Sequence, residues 1–455
     1  METFIHYLPA LMFLSLAVVL FTGLPVGIAV GGIGLGFALI GMELDLFRVQ
    51  QFGLIVNRIH GGIVENLVLV AVPMFVFMGA MLEVSGIAKD LLNCLQILLR
   101  RVPGGLALAV TLLGTILAAA TGIIGASVVL LTLLAMPVML QRQYAATLAS
   151  GTIAASGTLG ILIPPSIMLI VMADLLSISA GTLFVAAFIP GLLLAGLYAV
   201  YIMIVCARNP SLAPQPAEED GPPDIRTLCW TLARGFVPVV ALITLVLGSI
   251  IAGWATPTEA SGVGAAGATL LAAMNGRLGF ANLKNAIEKS AMTCAMLFFI
   301  FVGATAFSYV FRVLGGDHLV VEAMQSFELG SWGILAITMA VVFLLGFFFD
   351  WIEITLIVLP IFAPIIELLD FGGHVESQYL IYWFSILVAV NLQTSFLSPP
   401  FGFALFFVKG SAGDAVQTRD IYRGIIPFVA LQVATLIAIM AFPAIALWLP
   451  NAVGN

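Results

Sequence analysis

Polar residues are so sparse along this chain that the apolar runs between them, rather than any alternation, predict its elements. Runs long enough for a helix to cross a bilayer fall at about 4–22, 25–41, 61–82, 147–173, 180–207, 236–254, 258–275, 290–313, 380–408 and 424–449. Two stretches are too long for that pattern. Residues 104–140 carry no charge at all, and 330–366 carry only Asp350 and Glu353. A straight helix of either length would run to roughly 55 Å, against a hydrocarbon core of about 30 Å. Each stretch therefore predicts two half-length helices that enter and return, a re-entrant hairpin.

Two of the spanning runs are interrupted. Pro164 and Pro165 close the stretch 151–166, and Pro399 and Pro400 lie within 391–402. Paired prolines remove two successive amide donors and clash with the preceding turn, so both spans are predicted to break near mid-membrane. Two such breaks at corresponding places in two halves point to the substrate and ion site of a secondary transporter.

Composition agrees with a polytopic membrane protein: of 455 residues 62% are hydrophobic and 9% charged, with a mean hydropathy of +1.18. The excess of basic residues on cytoplasmic loops then fixes the topology. With both long stretches re-entrant and both termini outside, only Arg48, Arg58 and Arg312 of the 16 basic residues lie outside. Making both stretches full crossings divides them nearly evenly. The first hairpin then opens to the cytoplasm and the second to the periplasm, as an inverted repeat requires.

Spacing supports the repeat. Gly86 stands 35 residues before Thr121, near the first hairpin tip, and Gly316 stands 34 before Asp350 at the second. The expected organisation is all-α: a first inverted repeat over 1–175 with hairpin 104–140, a connecting span and cytoplasmic loop over 176–235, and a second repeat over 236–449 with hairpin 330–366. The loop 208–226 is Pro-rich and acidic and reads as a linker.

The candidate chemistry gathers at the tips and breaks. At the first tip, Gly122 and Gly125 expose backbone while Thr121 and Ser127 offer uncharged oxygens, a ligand set suited to Na+, although small residues also let helices pack closely. At the second, a carboxylate inside an apolar stretch costs about 2.5–3.5 kcal/mol and so faces a cavity or a partner. Asp350 could ligate a cation, hold the tip by accepting backbone donors, or carry a proton; Glu353 could reach a watery vestibule. In the second break Gln393, Thr394, Ser395 and Ser398 concentrate uncharged oxygens, and Asn391 is placed to pin the helix end. Candidate substrate contacts are Ser127, Pro165, Ser166 and Ser395. Thr256, Pro257 and Glu259 form a capping box that starts a helix.

Other chemistries find no motif. There is no HExxH, GxxxxGK[ST] or GxSxG, and Cys94, Cys206, Cys229 and Cys294 show no CxxC spacing. No nucleic-acid partner is expected, and an intramembrane enzyme using Asp350 and Glu353 would lack a second carboxylate at a matching break.

Pro73–Gly79 (PMFVFMG), the GTLGILIPPS run from Gly157 to Ser166, TPTEA from Thr256, GFFFD ending at Asp350 and SPPFG from Ser398 occur in an order that resembles the large membrane subunit of tripartite ATP-independent periplasmic (TRAP) transporters. The resemblance covers nearly the whole chain. It implies an elevator-type ion transporter fold coupled to Na+, a separate small membrane subunit, a periplasmic substrate-binding protein that delivers an organic acid, and a bacterial inner membrane. Carried over by position, it implies one Na+ site at Thr121, Gly122, Gly125, Ser127, Gly157, Thr158 and Gly160. The other would involve Gly346, Asp350, Gln393, Thr394, Ser395 and Ser398. The first tip departs from the Ser-Gly-Ser type of many members. The leading expectation is an importer of a small carboxylate, of C4-dicarboxylate or 2-oxo acid type; the alternative is a self-sufficient Na+/carboxylate symporter.

Overall fold

The structure is a computed structural model that describes residues 2–121, 124–214, 232–326, 330–399 and 402–453; among them the regular elements are all helical. After a short helical turn at Glu2–His6 come α1 (Leu8–Leu20), α2 (Val26–Glu43) and the short α3 (Gln50–Ile59). Then come α4 (Ala71–Val84), α5 (Ile87–Leu99), α6 (Gly105–Thr121) and α7 (Ile124–Gln141). α8 (Ala146–Thr158), α9 (Ile167–Leu175) and α10 (Ala180–Arg208) complete the first half. The second half contains α11 (Val237–Ile251), α12 (Pro257–Met274), α13 (Phe280–Val313) and α14 (Gly316–Ser326). It continues with α15 (Ser331–Leu345), α16 (Trp351–Glu367), α17 (Leu380–Leu397), α18 (Phe403–Ala412) and α19 (Thr418–Ala441), and ends on α20 (Ala444–Val453).

Both overlong stretches are split as their length required, into α6 with α7 and α15 with α16, each pair in contact. Several boundaries differ from those the apolar runs predict. The run 61–82 is part of a bent pair, 50–64 and 68–84, meeting at 58°. The run 424–449 is two helices, because Pro443 cannot continue α19. α13 begins ten residues before its apolar run, its polar first turns carrying a Lys284–Glu288 pair one turn apart. By length and composition six of the described helices could each cross a membrane, α7 among them. Exposed Leu14, Val18, Leu39, Leu245 and Ile437 give the outside an apolar surface that suits lipid.

Contacts between helices recur when the halves are exchanged. α2 packs on α13 as α12 packs on α4, α8 on α19 as α17 on α10, and α7 on α18 as α16 on α9. Small residues allow the close approaches. A Cβ on Gly34 would stand 2.9 Å from the Phe307 Cα, and one on Gly264 would stand 2.6 Å from the Met78 Sδ. At the junctions into α5 and α14, Gly86 (φ +67°) and Gly315 (φ +87°) take left-handed backbone that a side chain would strain. Gly315, not Gly316, is therefore the counterpart of Gly86, and the two glycines are then equally far from Thr121 and Asp350. Arg277, 3.7 Å from Asp90, and Lys289, 2.5 Å from Glu83, tie α5 and the end of α4 to the α12–α13 region.

α12 starts on the predicted box: Thr256 Oγ1 accepts from the Glu259 amide at 3.2 Å, and Glu259 Oε2 accepts from the Thr256 amide at 2.8 Å. Thr256→Ala should cost about 1 kcal/mol locally, read as roughly fivefold faster amide exchange in the first turn of α12 with transport unchanged.

Candidate functional site

The two interrupted helices form the centre of the molecule. Every residue from 148 to 173 is buried, and so is every residue from 383 to 398. α8 tightens into a 3-10 turn at Leu159–Ile161 and the chain resumes as α9 after Ser166; α17 ends at Leu397 and α18 starts at Phe403. The breaks are thus narrower than 151–166 and 391–402. A proline disturbs only the turn before it, so Gly157, Thr158 and residues 391–394 lie beyond its reach and remain helical.

α8 and α17 meet at one polar joint. Gln393 Nε2 donates to Thr158 Oγ1 at 3.4 Å, joining two breaks 235 residues apart in sequence. The Gln393 side chain is fully buried, and its Oε1 has no hydrogen-bond partner. The surrounding hydroxyls direct their protons inward to their own helices: Thr158 to the Ala155 carbonyl (2.9 Å), Thr394 to Val390 (2.9 Å), Ser395 to Leu392 (2.8 Å) and Ser398 to Thr394 (2.8 Å). A hydroxyl bonded in this way keeps its lone pairs as acceptors.

Both hairpin tips adjoin this joint. A Cβ on Gly157 would collide with the Val128 side chain of α7, and one on Gly125 would come within 2.8 Å of the Phe407 ring of α18. A Cβ on Gly346, where α15 ends, would collide with the Ser395 hydroxyl and stand 2.6 Å from Ser395 Cβ. Contacts therefore run from α7 through Gly157 and Thr158 to Gln393 and Ser395, and on to Gly346. Ser127 is buried on α7. Gly160 lies in the 3-10 turn that ends α8, and Pro165 is buried just before Ser166. Thr121 ends α6, its side chain outside the description; Gly122, Pro400 and Phe401 fall outside the described residues, as do Cys229 and most of the linker.

Asp350 takes one of the roles its position allowed, while Glu353 and Asn391 act differently from the expectation. Asp350 is the N-cap of α16, its Oδ1 accepting from the Trp351 amide at 2.8 Å, which is the structural alternative among those its position allowed. Glu353 opens on no vestibule: it is 4% exposed, with Oε2 unpartnered. Asn391 does not pin a helix end but donates at 2.6 Å to the Met339 carbonyl inside α15, fastening the second hairpin to α17. Ser166 donates at 2.8 Å to the Ile161 carbonyl, which Pro165 leaves without an amide donor. Sequence reasoning missed Thr111 on α6, which accepts from Ser156 of α8 at 3.4 Å. Their mid-helix positions gave no signal of it.

Among the described residues no group of three or more His, Cys, Asp or Glu could hold a metal ion. The donors at the joint are neutral oxygens near the C-terminal ends of α8 and α17, where the helix dipole is negative, while α9 and α18 turn positive N-terminal ends toward the same breaks. Each break can therefore favour a cation on one side and an anion on the other.

Residues 13–445 match the family described as "Tripartite ATP-independent periplasmic transporter, DctM component". The chain belongs to that family. It is 29% identical to the C4-dicarboxylate TRAP transporter large permease protein DctM of Pseudomonas aeruginosa, over 86% of this chain and 88% of that one. It is 28% identical to the ectoine/5-hydroxyectoine TRAP transporter large permease protein UehC of Ruegeria pomeroyi, over 97% and 98%. The isethionate TRAP transporter permease protein DctMQ of Oleidesulfovibrio alaskensis is longer: at 26% identity the match covers 97% of this chain and 66% of that one. In fold, the chain resembles the solved YdaH transporter of Alcanivorax borkumensis, with a TM-score of 0.61 at 13% identity over 98% of each chain. This TRAP large permease chain is thus a multi-pass membrane transport subunit, and its named relatives are permeases rather than enzymes.

Proposed function

We propose that this TRAP permease imports a small organic acid, of C4-dicarboxylate or 2-oxo acid type, driven by Na+, across a bacterial inner membrane. Both termini would lie in the periplasm, and a small membrane subunit and a periplasmic binding protein would complete the machine. The observation that carries the reading is the joint between the breaks, where a buried amide oxygen of Gln393 has no partner beside hydroxyls that donate into their own helices and so keep acceptor capacity. In so buried a place an unanswered acceptor suits a cation.

One Na+ would be held around Thr121, Gly122, Gly125, Ser127, Gly157, Thr158 and Gly160, and another around Gly346, Gln393, Thr394, Ser395 and Ser398, with Asp350 holding the second tip. The carboxylate would lie against Ser127, Pro165, Ser166 and Ser395, facing the N-terminal ends of α9 and α18. The hairpins α6–α7 and α15–α16, re-entrant from opposite sides by the charge distribution, would move with the broken helices against a scaffold that includes α2, α4, α12 and α13. Their contacts recur under exchange of the halves, which supports an inverted repeat.

The test is uptake into proteoliposomes holding this chain and its small subunit, with the binding protein outside and labelled succinate or pyruvate as the probe. Accumulation should require an inward Na+ gradient and the binding protein. Uptake by this chain alone would point to the self-sufficient symporter, and uptake indifferent to Na+ would overturn the ion assignment. Thermal-shift screening of the binding protein against organic acids would name the substrate.

A further inference from the structure

Prolines 360 and 364 leave α16 with two main-chain oxygens that its own helix cannot serve. In an α-helix the amide of residue i donates to the carbonyl four residues before it, so Pro360 orphans the Leu356 oxygen and Pro364 orphans the Pro360 oxygen. Both are answered from α13. Ser308 Oγ donates to the Leu356 carbonyl at 3.4 Å, and Arg312 Nη2 donates to the Pro360 carbonyl at 3.0 Å. Donors and acceptors are each four residues apart, so each helix presents its pair on one face, one turn apart. The other edge of the guanidinium is held by Asp317 at the start of α14, 3.8 Å from Arg312 Nε.

The same repair occurs elsewhere. Pro443 orphans the Ile439 carbonyl, and Trp383 Nε1 donates to it at 2.9 Å. That pair joins α19 to α17, one of the broken helices, and touches none of the scaffold helices named above. The α13–α16 pairs differ in crossing from the scaffold to a hairpin.

We propose that Ser308 and Arg312 are positioning residues for transport: a two-rung catch that holds the second hairpin against α13 in this conformation. This rests on the reading in which α13 stays still while α16 moves. Because the rungs and their acceptors share a four-residue spacing, a slip of about 6 Å at about 1.5 Å per residue exchanges a rung and does not empty both. Outward movement of α16 along its own direction brings the Leu356 carbonyl to Arg312; the opposite movement brings the Pro360 carbonyl to Ser308. The hairpin can therefore shift by a turn without leaving both carbonyls unanswered.

The prolines supply the test. Pro364→Ala gives the Pro360 carbonyl an amide within its own helix and makes Arg312 redundant there, while Arg312→Ala removes the rung directly. Amide exchange is followed over residues 351–367 of the purified full-length chain with its small subunit. Arg312→Ala should speed exchange about tenfold with Pro364 present, and less than about twofold in the Pro364→Ala background. Ser308→Ala paired with Pro360→Ala should show the same dependence on a smaller scale. Equal effects in both backgrounds would mean that Arg312 acts only through Asp317 or packing, and would overturn the catch. Asn66→Ala, which removes the 2.6 Å bond from Asn66 to Asp174, is the control. Its effect should be the same in both backgrounds; if it also vanished, Pro364→Ala would be loosening the whole interface and the catch would fall.

Spin labels at the exposed positions Gln50 and Glu367, in a background with the native cysteines replaced by alanine, read movement separately. Two distances should appear as Na+ is added and withdrawn, with Arg312→Ala shifting their ratio at least about threefold and Pro364→Ala restoring it. Two distances whose ratio ignores Arg312→Ala would overturn the catch and leave the moving-body reading intact. A single distance under all conditions would overturn the moving body instead, and with it any role for the catch beyond a fixed brace.

Discussion

Gln393→Ala should abolish the Na+-induced rise in melting temperature and lower Na+-driven uptake by about 10- to 150-fold, the worth of an ion–dipole bond of about 1.5–3 kcal/mol. The result without Na+ is the sharper part. Gln393 is fully buried and its Oε1 answers to nothing in the protein. An unanswered buried acceptor costs about 1–3 kcal/mol, so removing it should offset most of what the lost methylenes and the cavity cost, at about 0.8 kcal/mol per methylene, and the Na+-free protein should change little in stability. Losing the 3.4 Å bond to Thr158 adds only a small cost. Melting in NaCl and in KCl checks both results together. If Gln393→Ala lowers the melting temperature equally in the two salts, the amide is a structural joint and not a ligand.

Gly346→Ala should be nearly as severe for a different reason. The added methyl would strike the Ser395 hydroxyl and lie 2.6 Å from Ser395 Cβ, on a helix that is buried along this face. Overpacking of this kind costs about 1–3 kcal/mol, and here the strain is relieved by driving the second tip away from the break. Uptake should fall at least about tenfold. Adding Ser395→Gly makes room and should restore the melting temperature. Uptake returning with it would make the contact purely steric; uptake staying low would assign the Ser395 oxygen to the ion or the substrate. A melting temperature that does not recover would place the clash elsewhere.

The gross architecture was legible because it follows from length and proline. Stretches 104–140 and 330–366 were too long for a bilayer, and each is two helices. Paired prolines marked both breaks but not their edges, since a proline's reach is one turn and Asn391 to Thr394 lie beyond it. α3 went unseen because Gln50, Gln51, Asn57 and Arg58 give it no spanning apolar run. The side-chain partners were the least legible. That Gln393 would find Thr158, or Asn391 the Met339 carbonyl, depends on how helices distant in sequence are laid together, which no periodicity records.

The reciprocal packing of the halves also bears on how the chain is made. Gly27 and Gly34 of α2 form a seat for Phe299 and Phe307 of α13, yet at typical elongation speeds those aromatics leave the ribosome on the order of half a minute later. Until then lipid tails must fill the seat, so the newly inserted first half is an open mould awaiting its cast. A polar substitution along that seat should be felt during biogenesis, as degradation of the unfinished permease, before any mature transporter exists to be assayed.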